Sequence, residues 1–402
     1  LANNSPQPAA SRTTRFSPSH LWLLTIGGFY AFFVFGFVDN LKGPTLPAML
    51  RDLHLSYGQG GTILFSGYIG FMVATLLMGI LADTLGNKLV LLLAGVCLTI
   101  GLTTFSVVSD LWLLALALFV VGLGLGSIEV GGNALIVSLH SHARGRYLNL
   151  LAVFHGVGAL VVPLFAAQLL RSDFSWRQVY QISVGLAVAM ALFFMLVKYP
   201  HRAPAAGEGL NLRTFFAAGF SLRMGWYYLL VTAYVAAEIG IAAWIVEFLQ
   251  QVKGFSIESS SIYLSLFFAA IMAGRFAGSF VVERIGYIRV MLGATLLAIV
   301  SLTLGIFGPP ALTFCLPLTG LFFSIMFPTT TAAVSALHVE NQGAILGVFF
   351  TFGGLGGAIG PWVIGAVGDW AGIELAFAVS LVFCAIMLFA LVMLQRAASA
   401  TR

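Results

Sequence analysis

This sequence predicts an all-α polytopic membrane protein, with twelve transmembrane helices in two pseudo-symmetric six-helix bundles. Three observations carry that expectation. Of the 402 residues, 60% are hydrophobic and only 8% are charged, against roughly 25% charged in a soluble domain. Such an excess, spread over the whole chain, leaves no polar surface to enclose a water-soluble core. Second, continuous apolar runs recur, each near the ~20 residues a helix needs to cross hydrocarbon. They are unbroken, unlike the alternating segments of about ten residues found in outer-membrane barrels. Third, the two halves of the chain share a pattern at one constant offset. Leu139–His140 returns as Leu337–His338, Gly145 as Gly343 and Phe154 as Phe352, while Gly156, Gly158 and Pro163 return as Gly354, Gly356 and Pro361. One match in a chain with 45 glycines is uninformative. Several at one offset, in equivalent spans, argue for duplication, the plan of transporters whose parallel halves rock about a central site.

In chain order, residues 1–18 are polar and rich in Ser, Pro and Thr, and read as a disordered cytoplasmic tail. The apolar runs lie near 21–47, 60–82, 88–108, 111–137, 147–170 and 178–198, forming an N-terminal bundle over 19–198. The first run is long and lacks a small-residue cleavage site, so it reads as a span and not a signal peptide. The longest polar break, 199–224, contains KYPHRAPAAGEG followed by NLRTFFAAGF, a cytoplasmic linker with an expected amphipathic helix. Runs near 225–250, 260–282, 288–308, 312–336, 345–367 and 372–394 make a second bundle over 225–395, and 396–402 is a cytoplasmic tail. With the N-terminus inside, cytoplasmic segments hold thirteen Lys or Arg residues. The outer loops hold four: Arg51, Arg171, Arg177 and Lys253. That positive-inside bias predicts both termini in the cytoplasm.

Composition also narrows function. The net charge of +5 is accounted for by loop anchoring, and nucleic acid is not an expected partner. Cys97, Cys315 and Cys384 lie in apolar runs and form neither a disulfide framework nor a zinc pattern. No nucleotide loop, metal motif or catalytic domain is visible, so no cofactor and no enzyme activity are expected. Membrane lipids are the expected surroundings, and the chain is expected to act as a monomer.

Loop and span motifs carry a resemblance. GILADTLGNK (79–88) is similar to the G-x-x-x-D-R-x-G-R-K loop of the major facilitator superfamily, with Thr84 and Asn87 in place of arginines. SFVVERIG (279–286) is the related loop of the second half. Within that superfamily the chain most resembles the fucose/glucose/galactose:proton symporter group. The matching segments are GFVDNLKGPTLP (36–47), GLGLGSIEVGGN (122–133), AYVAAEIGIAAWIVEFL (233–249) and GLFFSIMFPT (320–329). Gly43 stands where that group has its span-1 aspartate. The resemblance implies the major facilitator fold, a bacterial inner-membrane location, proton-coupled sugar transport, and gating roles for Asp83, Lys88, Glu283 and Arg284.

Ionisable groups inside a bilayer are costly and mark functional sites by default. Glu129, flanked by Gly126, Gly131 and Gly132, matches the family glutamate. A carboxyl taken out of water can hold a proton, the property a carrier needs. Asp39 and Lys42, three apart, share a helix face. They form an internal ion pair, or Lys42 turns to Glu129 or an anionic substrate while Asp39 binds hydroxyls or takes part in proton coupling. Asn40 and Asn133 offer donors and acceptors suited to sugar hydroxyls. Tyr234, Glu238 and Trp244 could line a polyol site, with Glu247 nearer the outer end and wetted. His155 binds substrate, relays protons or packs; Arg275 reads as a gate or structural ion pair rather than a substrate contact.

The expected activity is proton-driven uptake of a monosaccharide or related polyol by alternating access. Two alternatives stay open: an exporter or antiporter of small amphipathic or anionic compounds, and a non-transporting receptor or scaffold.

Overall fold

The computed structural model describes residues 18–140, 142–199, 220–337 and 342–400. The N-terminal tail and the amphipathic stretch expected in the linker lie outside the described residues. Span 1 is Pro18–Asn40 continued by Lys42–Asp52. Spans 2 to 6 are Tyr57–Leu85, Asn87–Val107, Leu111–Leu139, Arg144–Arg171 and Trp176–Leu196. Spans 7 to 9 are Leu222–Gln251, Ile257–Ile285 and Tyr287–Phe307, and span 10 is split into Cys315–Phe323 and Met326–Leu337. Span 1 runs further than its apolar stretch, so Arg51, expected in a loop, sits in the helix's last turn.

The final helix, Gln342–Ala400, is 59 residues long. Unbroken, it would extend about 90 Å, three times the hydrocarbon thickness. Gly372, at φ 78° and ψ 161°, interrupts it in a conformation that a Cβ would strain. Pro361 and Phe377 flank this break, and both touch span 7 within four residues of each other, at Trp244 and Phe248. The chain therefore doubles back at Gly372, giving spans 11 and 12 and a total of twelve among the described residues.

Local chemistry sets the helix starts. Asp110 caps span 4 through the backbone N–H groups of Trp112 and Leu113, Ser175 forms a reciprocal capping box with Gln178, and Ser221 and Ser256 cap spans 7 and 8. Two corners repeat the same backbone. Gly86 between spans 2 and 3 and Gly286 between spans 8 and 9 both have φ 91°. His20 lies 2.7 Å (Nε2) from the Lys198 carbonyl, joining the start of span 1 to the end of span 6. This end of the bundle is called the terminal end, and the opposite one the far end.

Packing repeats between the halves. Span 1 packs on span 5 where a Cβ on Gly36 or Gly158 would strike backbone; span 7 packs on span 11 in the same way at Gly356 and Gly360. Span 2 likewise meets span 4 at Gly122, and span 8 meets span 10 at Gly320. Small residues at such crossings let backbones touch, the main source of attraction between helices in lipid. Between the halves, span 2 lies on span 11 and span 5 on span 8, the exchange a two-fold relation requires.

The contacts joining the halves are uneven along the bundle. Asp369 on span 11 accepts hydrogen bonds from Ser56 Oγ (2.9 Å) and the Gly58 backbone N–H (3.0 Å). Glu247 accepts from the Tyr57 hydroxyl at 3.1 Å, with Arg51 at 4.0 Å. Arg171 pairs with Glu258 at 3.0 Å, and Ser265 donates to the Leu160 carbonyl. All of these lie in the far half of the bundle. Glu247, expected to be wetted, is instead 3% exposed because Tyr57 and Arg51 cover it.

Candidate functional site

The site begins at an irregular stretch of span 1. Pro44 and Pro47 lack an N–H, so the carbonyls of Asn40 and Gly43 lose their usual helical partners. Polar side chains here bond back to the helix: Asn40 donates to the Gly36 carbonyl at 2.9 Å, and Thr45 to the Leu41 carbonyl at 2.7 Å. Here Asp39 and Lys42 meet as an i,i+3 ion pair, Nζ to Oδ1 2.7 Å, with both side chains nearly buried. This is the internal pair; Lys42 does not reach to Glu129. Tyr68, from span 2, donates its hydroxyl to Asp39 (3.3 Å to Oδ2) and lies beneath the Lys42 ammonium, 4.7 Å from its ring centre. A small cleft between the halves, with space on the scale of single water molecules, is lined by these three residues with Asn40, Ile239 and Pro361.

The second half lines this cleft with Ile239, Ala242, Ala243 and Pro361. Tyr234 and Glu238 are one turn apart on span 7. Tyr234 is fixed by the rings of Phe323 and Phe327, with centroids at 5.8 and 6.4 Å. Glu238 and Arg275 of span 8 both stand beside its hydroxyl, yet neither meets it in good hydrogen-bond geometry. His155, on span 5, sets its ring edge-on to Phe35 at 4.7 Å and lies in the fields of both Asp39 and Arg275. Glu238 in turn faces Arg275 and lies in the field of Asp39. The structure thus joins Asp39, Lys42, Tyr68, His155, Tyr234, Glu238 and Arg275 into one polar cluster shared by both halves.

Glu129 and Asn133 form a separate unit on span 4. Asn133 Nδ2 donates to Glu129 Oε1 at 3.0 Å and to the Glu129 carbonyl at 2.7 Å. Gly132 admits the Phe32 ring and Gly126 admits span 2 beside them.

Trp244 is fully buried, donates its indole N–H to the Pro361 carbonyl at 2.9 Å and packs on Tyr57, so it holds the seam between the halves and does not face the cleft. Arg275, expected as a gate or a structural ion pair, lies beside Tyr234 and Glu238. Lys88 donates to the Met195 carbonyl at 3.1 Å, which favourably places a cation at the C-terminus of span 6. Arg284 is exposed in the last turn of span 8, and the side chains of Asp83 and Glu283 lie outside the described residues. Tyr68 and the far-end group of Tyr57, Ser56 and Asp369 were not singled out from sequence. A lone phenol within the apolar run of span 2 was the available signal for Tyr68.

Comparisons with known proteins agree with this architecture. The family model for the Major Facilitator Superfamily matches residues 28–289 and 261–402. The L-fucose-proton symporter of Escherichia coli is 24% identical over 383 residues, covering 85% of this chain and 86% of that protein. The glucose/galactose transporter of Brucella abortus is 26% identical over 387 residues, covering 89% and 90%. Among solved structures, a mutant form of the nucleoside transporter NupG superposes with a TM-score of 0.81 at 17% identity, covering 93% of this chain and 99% of that one. The transporter FucP in the outward conformation gives 0.63 at 21% identity, covering 93% and 99%. An inward-facing bacterial homolog of Spinster gives 0.75 at 16% identity, covering 95% and 98%.

Proposed function

This chain belongs to the Major Facilitator Superfamily, and from that premise we propose that it takes up a monosaccharide or related polyol together with protons. It is a multi-pass membrane transporter and not an enzyme. Relatives named as sugar transporters and sugar–proton symporters along most of the chain support the substrate class. The positive-inside bias supports a cytoplasmic terminal end and an outer far end, in a bacterial inner membrane.

One observation carries the coupling. Among the described residues, each other carboxylate within the spans that is not exposed has a cation at hand: Asp39 has Lys42, Glu238 has Arg275 and Glu247 has Arg51, while Asp369 and Glu374 are exposed. Glu129, among the described residues, has only the Asn133 amide. An anion without a countercharge in hydrocarbon is the group whose charge most needs cancelling by a proton. In the proposed cycle, Glu129 takes a proton while the far end is open, and substrate binds in the polar cluster between residues 19–198 and 225–395. The Asp369 and Glu247 contacts then seal the far end, and the terminal end opens to release both ligands. The sealed far half matches the stage of that cycle in which release occurs.

The test is Glu129→Gln in proteoliposomes. It should abolish sugar accumulation driven by a proton gradient while sugar-for-sugar counterflow persists. Wild-type accumulation by a well-expressed variant would remove Glu129 from the coupling step.

A further inference from the structure

Two polar atoms of the cluster are buried without a hydrogen-bond partner among the described residues: the hydroxyl of Tyr234 and Nε of Arg275. A buried donor left unpaired is costly, and native interiors hold few. These two come from adjacent helices and stand beside the same carboxylate, Glu238. Tyr234 is 1% exposed, and its ring packs against Phe323 and Phe327. The group therefore holds two unpaired donors beside one acceptor. A sugar hydroxyl both donates and accepts. It can donate to Glu238 while accepting from Arg275 or Tyr234.

Charge sharpens the argument. Glu238 is offset by Arg275, and Asp39 by Lys42 at 2.7 Å. The Glu238–Arg275 and Asp39–Lys42 groups are thus each balanced. A ligand carboxylate brought to the first group meets Glu238, and a ligand ammonium meets Arg275. Like-charge contact in a dry site is a strong means of rejection.

Resting on the sugar-uptake reading, we infer that Arg275 and Glu238 together are the specificity-determining pair, selecting an uncharged polyol over acidic and amino sugars of the same shape. Arg275 touches the substrate in this scheme, with its Nε–H and the Tyr234 hydroxyl as the donors that the substrate oxygens satisfy. Removing one member of the pair leaves the other as an uncompensated charge, which then favours the ligand of opposite sign.

Counterflow in proteoliposomes tests this, with a neutral hexose, a hexuronate and a hexosamine offered in competition. Wild type exchanges the hexose. Glu238→Gln shifts preference towards the hexuronate, and Arg275→Gln towards the hexosamine, each by about tenfold relative to the hexose. Arg275→Lys keeps the charge and keeps the wild-type preference, and Tyr234→Phe weakens hexose exchange without changing preference. If one glutamine variant fails to fold, the other decides. A folded glutamine variant that retains the wild-type preference, or carries none of the three, overturns the inference. Wild type carrying the hexuronate as readily as the hexose overturns the inference alone. Wild type carrying none of the panel overturns the sugar reading and the inference with it.

Discussion

Replacing Asp369 with alanine should open the far end. Asp369 closes the start of span 2 from across the interface. Ser56 opens that helix with a reciprocal box, its backbone N–H donating to Gln59 Oε1 (2.9 Å) and its hydroxyl accepting from the Gln59 N–H (3.2 Å). The same hydroxyl donates to Asp369 Oδ2, while the Gly58 N–H donates to Oδ1. One carboxylate thus binds two groups at a helix N-terminus, where the dipole favours an anion. Each bond contributes on the order of 1 kcal/mol, kept low because Asp369 is exposed and screened. Both exist only while the halves meet at this end. Their loss therefore shifts the equilibrium between closed and open far ends by about 2 kcal/mol, roughly thirtyfold. Asp369→Asn keeps one acceptor oxygen and should give about half that energy. Spin labels on exposed Ser172 and Ser259, one in each half at the far end, provide the assay in a cysteine-free background. Their distance distribution should gain a longer component in Asp369→Ala and a smaller one in Asp369→Asn. An unchanged distribution in both would refute the claim that this carboxylate latches the far end.

Two further outcomes follow from named contacts. Asp39→Asn alone should strand the Lys42 ammonium among apolar neighbours and cost on the order of 3 kcal/mol, seen as a lowered melting temperature. The double variant Asp39→Asn, Lys42→Met should recover much of that loss, because it removes both charges together. His140, in the loop after span 4, stacks on Tyr147 at 3.5 Å and meets Thr25 Oγ1 at 2.8 Å. Desolvation lowers its pKa below the ordinary histidine value. The folded state therefore favours neutral imidazole, so its contribution is complete above about pH 6.5 and is lost as pH falls through the lowered value. Thermal melts across that range should show less acid destabilisation in His140→Gln than in wild type.

The residues explain how far the sequence could be read. Span number was legible because lipid imposes one length on every crossing, and Gly372 separates what would otherwise be a single helix. The Asp39–Lys42 pair was legible as well, since a spacing of three fixes a shared face before any tertiary contact forms. Contacts between halves were not. Nothing local to Asp369 announces Ser56, more than three hundred positions away, and nothing local to Glu247 announces the Tyr57 and Arg51 that cover it. Trp244 misled because an indole beside two acids suits a sugar site, whereas its N–H is taken by the carbonyl of Pro361. Arg275 was read by its depth along span 8, but its direction depends on how spans 7 and 8 pack.

The central claim is that sugar and protons move together through this chain. Purified protein in vesicles with an internal pH dye, given a panel of neutral hexoses, sugar acids, nucleosides and cationic dyes, measures that directly. The account predicts that a neutral hexose or related polyol alone drives proton influx, in wild type and not in Glu129→Gln. Hexose flux with no accompanying proton movement, or proton movement driven only by another class of compound, would contradict it.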